Sequence, residues 1–253
     1  MARSRASSTD FTLREERAVR GGRRLSLDLH ADGDRVPAIL LVPLEPRPAP
    51  AALLLHGYSS DKERMVDSAG RALLARGVAS LGIDLPLHGE RAGGAGGMAS
   101  AELRNPLALA RRWRAAMDEA RVALRFLAER DEVDADRLAL VGYSMGAYLG
   151  VMVAAKDDAV RALVLAAGGD LPANTPYAPL VRTLVDPLRA VRQYAGRPLL
   201  MVHGRHDRTI RPDQAERLYA AAGPPKAIQW YDGGHWLTEG AVRRAVEWIA
   251  ENV

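Results

Sequence analysis

Leu138-Ala139-Leu140-Val141-Gly142-Tyr143-Ser144-Met145-Gly146-Ala147 carries a short apolar run straight into a glycine-flanked serine. The apolar run predicts a strand buried on both faces. The residues from about Met145 to Ala155 predict a helix that begins directly after it. A serine on so sharp a strand-to-helix turn is held at strained backbone angles. Glycine two residues before and after keeps side chains out of the crowded turn. The turn exposes the hydroxyl at the carboxyl end of the strand, and the helix N-terminus behind it favours developing negative charge. A plainer alternative is a serine that caps an ordinary helix. The strand in front of it favours a nucleophile.

Outward from this turn the chain alternates strands and helices. Ala51–Leu55, Val78–Ile83, Ala162–Ala166, Pro198–Val202 and Ala227–Tyr231 are further apolar runs of strand length. Between and after them, Met65–Arg76, the long amphipathic stretch Leu103–Arg130, Pro212–Ala222 and Leu237–Asn252 predict helices, the first stopped by Gly77. This is an α/β pattern: a mostly parallel sheet with helices on both faces. The N-terminal part differs. From Phe11 the chain reads as short extended pieces. Leu25–Leu29 alternates apolar and polar residues, Asp32-Gly33-Asp34 signals a turn, and Val36–Val42 is a second strand. Together they predict an antiparallel hairpin at the sheet edge. Residues 1–10 are polar and predict a disordered tail, and 11–253 a single domain. The segment 168–197, with Pro172, Pro176, Pro179 and Pro187, is long for a simple connection. It predicts a small cap over a site, with a decorated crossover as the alternative.

A serine hydroxyl needs a base. Of the six histidines, His235 in Asp232-Gly233-Gly234-His235-Trp236 follows a strand and precedes the last helix, on the same rim as Ser144. The base needs an orienting acid. Asp207 follows the apolar run Leu199–Val202, and Asp170, after the preceding strand, is the alternative. The order Ser144, Asp207, His235 is the nucleophile–acid–base order of α/β-hydrolases. Two backbone N–H groups suit the oxyanion: that of Met145, after the nucleophile, and that of Tyr58 in Leu55-His56-Gly57-Tyr58. His56 is expected to order its loop. His88 is expected either to touch substrate or to order the loop after Asp84, with the structural role favoured. His203 and His206 are expected to shape the loop of Asp207, and His30 to lie at a strand edge.

His56-Gly57-Tyr58, Asp84-Leu85-Pro86-Leu87-His88-Gly89, Gly142-Tyr143-Ser144-Met145-Gly146, His203-Gly204-Arg205-His206-Asp207 and Gly234-His235 stand in family order. In them the chain resembles the dienelactone-hydrolase and prolyl-oligopeptidase-like serine esterases of the α/β-hydrolase superfamily, from about Arg24 to the C-terminus. The resemblance implies the α/β-hydrolase fold and hydrolysis of small carboxylic esters through an acyl-enzyme, with no cofactor. Dienelactone hydrolases use a cysteine nucleophile, and the serine here points to ordinary ester hydrolysis. A serine peptidase, an acyl-thioesterase and a non-catalytic binding protein on the same fold are the competing functions. Peptidases of the prolyl-oligopeptidase type usually add a propeller domain, for which this chain has no room.

Composition narrows the field. The chain has 253 residues, 48% of them hydrophobic, and no cysteine, which removes disulfides, cysteine metal sites and a cysteine nucleophile. The net charge is +4, yet arginines are interspersed with acids, as in Arg14-Glu15-Glu16-Arg17. With no aromatic platform beside them, they predict a solvated surface and no nucleic-acid partner. Lysine occurs only at 62, 156 and 226. No early apolar stretch resembles a signal peptide and none approaches a membrane span, so the expected location is cytoplasmic, without a membrane partner. The expected partner is a small ester, and nothing points to an oligomeric state. Gly94-Ala95-Gly96-Gly97-Met98-Ala99 matches a dinucleotide fingerprint in letters only, because the polar stretch Asp84–Gly93 separates it from its strand. His203 and His206 lack the spacing of a helical zinc motif, so no metal site is expected.

Overall fold

The structure, a computed structural model, describes residues 9–92, 106–175 and 178–253. Most of the expected N-terminal tail, the fingerprint match at 94–99 and the expected helix start at Leu103 lie outside the described residues. The elements run β1 (Phe11–Val19), β2 (Gly22–Ala31), β3 (Asp34–Pro43) and β4 (Ala49–Leu55). Lys62–Met65, Val66–Gly70 and Arg71–Leu74 then run on as one helix, α1, whose middle five residues are π-helical. β5 (Ala79–Ile83), α2 (Pro106–Ala128), β6 (Val133–Tyr143), α3 (Met145–Ala154) and β7 (Val160–Ala166) follow. The chain continues with α4 (Ala178–Arg182), α5 (Pro187–Gln193), β8 (Leu199–Gly204), α6 (Pro212–Ala221), β9 (Lys226–Tyr231) and α7 (Glu239–Asn252).

The strands form one sheet in the order β1-β2-β3-β5-β4-β6-β7-β8-β9. From β5 to β9 all neighbours are parallel, while β1, β2 and β3 meander antiparallel and join β5 antiparallel. This is the expected α/β-hydrolase architecture, with the expected hairpin formed by β2 and β3 and extended at the edge by β1. β1 escapes pattern recognition because it is exposed along nearly its whole length and carries Arg14, Glu15, Glu16 and Arg17. Those charges, and a bulge between Leu13 and Glu15, blunt the free edge of the sheet. The turn between β2 and β3 is two residues long, with positive φ at both Asp32 (48°) and Gly33 (87°), as the primed hairpin turns require.

The two-residue period of the central strands divides the core. Ala51, Leu53 and Leu55 of β4, with Leu138 and Leu140 of β6, face α2, α3, α5 and α6. Ala52, Leu54, Ala139 and Val141 face α1 and α7. Continuous apolar strands are what a sheet covered on both sides demands. In the 168–197 segment, α5 packs beside α3 and α6, the position of a crossover helix between β7 and β8. No helix among the described residues is long and apolar enough to cross a membrane.

Register sets the site. Leu55 pairs with Gly142, Tyr143 with Ala166, Ala166 with Val202, and Gly204 with Tyr231. The loops after β4, β6, β8 and β9 therefore leave the sheet along one level rim, the carboxyl edge where α/β sheets place their sites.

Candidate active site

Ser144 sits between β6 and α3 at φ 52° and ψ −112°. Its side chain makes no capping bond to the helix, which removes the reading of a simple cap. The flanking glycines are steric necessities. A Cβ on Gly142 would stand 2.2 Å from the Gly146 carbonyl oxygen, and one on Gly146 would stand 2.2 Å from that of Leu55. The Ser144 N–H donates to Ala166 O at 2.9 Å, which fixes the turn to the neighbouring strand.

The loop after β9 brings His235 to this turn. His235 Nε2 lies 2.9 Å from Ser144 Oγ, and Nδ1 lies 2.8 Å from Asp207 Oδ2. A carboxylate accepts only, so Nδ1–H donates to Asp207 and Nε2 is left to accept from the serine. The Asp207 side chain is wholly buried. Its other oxygen accepts from the N–H groups of Thr209 (2.8 Å) and Ile210 (3.0 Å), so the carboxylate cannot swing away. Two tyrosines, the buried Tyr231 and the half-buried Tyr143, hold the histidine loop: Tyr143 Oη donates to His235 O at 3.0 Å and Tyr231 Oη to Gly234 O at 2.8 Å. Burial raises the pKa of both phenols, that of Tyr231 to about 12, which keeps them protonated donors. The loops of Asp207 and His235 also touch backbone to backbone, His206 N–H donating to Gly233 O at 2.9 Å.

Asp170, the alternative acid, is committed elsewhere. Its carboxylate accepts from Arg182 at 2.8 Å and from Arg217 at 3.3 Å. His203 Nε2 donates to Ile210 O at 2.8 Å and so shapes the Asp207 loop, and burial lowers its pKa. His206 pairs with Asp232 at the surface and His30 with Thr12 of β1.

On the other side of Ser144 the loop after β4 closes in. A Cβ on Gly57 would meet the Tyr143 ring at 2.9 Å and Ser144 Cβ at 3.2 Å, so only glycine lets this loop pass. The N–H groups of Tyr58 and Met145 have no acceptor among the described residues. His56 is wholly buried and donates from Nδ1 to Gly57 O at 2.8 Å, while Nε2 accepts from Leu85 N–H at 3.0 Å. His88 Nδ1 donates to Pro86 O at 2.8 Å, and its ring lies edge-on to Tyr58. Its backbone contact fits loop ordering, and it also lines an apolar pocket beside Tyr58. No group of three His, Asp or Glu side chains among the described residues is arranged to hold a metal ion.

The model of the dienelactone hydrolase family matches residues 98–239, more than half of the chain. The chain belongs to the dienelactone hydrolase family. A Mycobacterium tuberculosis relative, the uncharacterized protein Rv2307c, is 32% identical over 184 residues, or 70% of this chain and 59% of that protein. The chain spans under two thirds of the length of the curated relatives it matches. Acetyl xylan esterase 1 from Thermoanaerobacterium sp. JW/SL YS485 has a similar fold, with TM-score 0.78 and 20% identity over 96% of this chain and 88% of that one. A cold-adapted esterase from an Arctic intertidal metagenomic library superposes with TM-score 0.73 and 20% identity, over 94% of this chain and 97% of that one.

Within this dienelactone hydrolase family member one residue escaped sequence reasoning altogether. Lys62 is 1% exposed, and its Nζ meets Glu63 at 2.9 Å, Asp84 at 2.8 Å and Glu90 at 2.8 Å. Burial opposes its charge, but the three carboxylates outweigh burial and raise its pKa. Asp84 also accepts from the N–H groups of Lys62 (3.0 Å) and Glu90 (2.9 Å). The hub thus ties the loop of Tyr58 to the loop of His88. Its signal was compositional: a chain that uses arginine almost everywhere places a compact ammonium where carboxylates converge.

His56 gives the loop a pH limit. Burial lowers its pKa from 6.5 to about 4. Below pH 6.5 the unfolded chain takes up a proton that the folded ring refuses, so stability falls as pH drops toward 4, by about 3 kcal/mol in total. His203 acts in the same direction. Glu90, held down to about 2 chiefly by Arg14, loses its contribution only below its ordinary range, at lower pH. Urea midpoints between pH 7.5 and 4.5 will fall more steeply for the parent than for His56→Asn. Equal slopes would remove His56 as the source.

Proposed function

We propose that this chain is a serine hydrolase that cleaves carboxylic esters through an acyl-enzyme. The observation that carries it is the unbroken hydrogen-bond chain Asp207–His235–Ser144, at 2.8 and 2.9 Å, ending on a serine at φ 52°. Family membership supports hydrolysis, and the absence of cysteine leaves serine as the nucleophile.

Ser144 Oγ attacks the ester carbonyl while His235 Nε2 takes the hydroxyl proton. Asp207 keeps the imidazole in the required tautomer and steadies the cation that forms. The carbonyl oxygen becomes an oxyanion, stabilised by the Tyr58 and Met145 N–H groups, which have no acceptor among the described residues and so need no rearrangement. The C–O bond to the alcohol then breaks, and His235 gives its proton to the departing oxygen. Water, deprotonated by His235, attacks the acyl-serine, and the acid leaves as Ser144 recovers its proton.

A fluorophosphonate probe followed by peptide mass spectrometry tests the nucleophile. The expected adduct is on Ser144, is lost in Ser144→Ala, and is matched by turnover of nitrophenyl esters well above that of the corresponding anilides. A parent protein that neither labels nor turns over any ester would favour a non-catalytic binding role.

A further inference from the structure

Ester hydrolysis sets different demands on the two sides of the substrate. The leaving oxygen must face the acid that protonates it, so the alcohol lies toward His235. The acyl carbon must then extend the other way. Strand order gives these directions a place: Asp207 and His235 follow β8 and β9 on one side of Ser144. Tyr58 and His88 follow β4 and β5 on the other.

On that far side lies a cavity of about 250 Å³. Its walls include Tyr58, Leu85, Leu87 and Met145, with Leu109 and Ala116 of α2 opposite. The residues that offer the two oxyanion amides, Tyr58 and Met145, are thus also its wall at the reacting carbonyl. Among the described residues its lining holds no carboxylate and one guanidinium, that of Arg112. A second apolar cavity of about 230 Å³ lies under Tyr143 and Trp236, between α1 and α7. The rings of Tyr143 and Trp236, which line it, pack near that of His235, on the leaving-group side.

The geometry points to the first cavity as the acyl pocket, and so to uncharged esters of compact apolar acids as the substrate class. This rests on the serine-esterase reading above. A cavity of about 150 Å³ holds a benzene ring. The pocket therefore suits acyl groups of roughly four to eight carbons, each buried methylene adding about fourfold in kcat/KM.

The test is the ratio of kcat/KM for nitrophenyl hexanoate to that for nitrophenyl acetate. Ala116→Leu fills the pocket and is expected to lower this ratio at least tenfold, a loss of roughly two methylenes of contact. Leu109 is 40% exposed, so Leu109→Ala should fold; it is expected to move the best chain length upward. Ala245→Leu fills the other cavity and is expected to leave the ratio unchanged. An unchanged ratio in both pocket variants would overturn the assignment, as would a shift found only in Ala245→Leu. Faster turnover of a hemisuccinate ester than of the butyrate would overturn the uncharged class. Each of these results requires ester turnover by the parent; its absence would instead remove the serine-esterase reading.

Discussion

Ser144→Ala will lower kcat for a nitrophenyl ester by between about 10⁴- and 10⁶-fold. The variant keeps its Cβ and its fold, because the hydroxyl contributes no capping bond to α3. Its Tm is expected to stay close to that of the parent, since the change removes one side-chain hydrogen bond, that to His235. His235→Ala should cost a similar factor. The double variant should then be little worse than either single one, because nucleophile and base act as a unit. Steady-state assays on all three, with thermal melts as control, check this. Multiplicative losses, or near-parental turnover in Ser144→Ala, would exclude the Asp207–His235–Ser144 assignment.

Lys62→Met will produce the largest loss of stability, about 3–5 kcal/mol, because it strands buried carboxylate without its partner. Asp84 has no exposed surface, so its charge has no route to water. Pairing the change with Asp84→Leu will not restore stability. Asp84 accepts from the Lys62 and Glu90 N–H groups as well as from the ammonium, and leucine would orphan those donors. Urea midpoints of the single and double variants measure this. A shift of under 1 kcal/mol in Lys62→Met would mean that the hub is solvated and not structural. Because the hub joins the loops of Tyr58 and His88, the folded fraction of Lys62→Met is also expected to turn over more slowly, while fluorophosphonate labelling at Ser144 persists.

Much of this site was legible before folding. Gly142-Tyr143-Ser144-Met145-Gly146 is local: strand, turn and helix are joined by the chain itself, and the glycines report contacts within a few residues or with the adjacent strand. Asp207 and His235 were legible because each directly follows an apolar strand. Parallel strands in register must deliver such loops to a common edge. The segment from Phe11 was legible as extended but not as a third strand of the antiparallel end, since a charged sheet edge carries no hydrophobic alternation. The π-helical turn of α1 was hidden too, because one helix and another share the same apolar face.

By itself the sequence determined the layers of the fold, the candidate nucleophile Ser144 and the sheet edge at which the candidate site stands. Covalent order and side-chain period decide these, and both are written along the chain. Asp207 was preferred to Asp170 from the sequence, and only tertiary structure shows what each carboxylate touches. Arg182 and Arg217, from α4 and α6, draw Asp170 away, while the backbone of Thr209 and Ile210 turns Asp207 toward His235. The same holds for Lys62 and for the apolar pocket. Each depends on residues far apart in sequence, and only packing brings Lys62 to Asp84 and Glu90 or α2 across from the loop of His88.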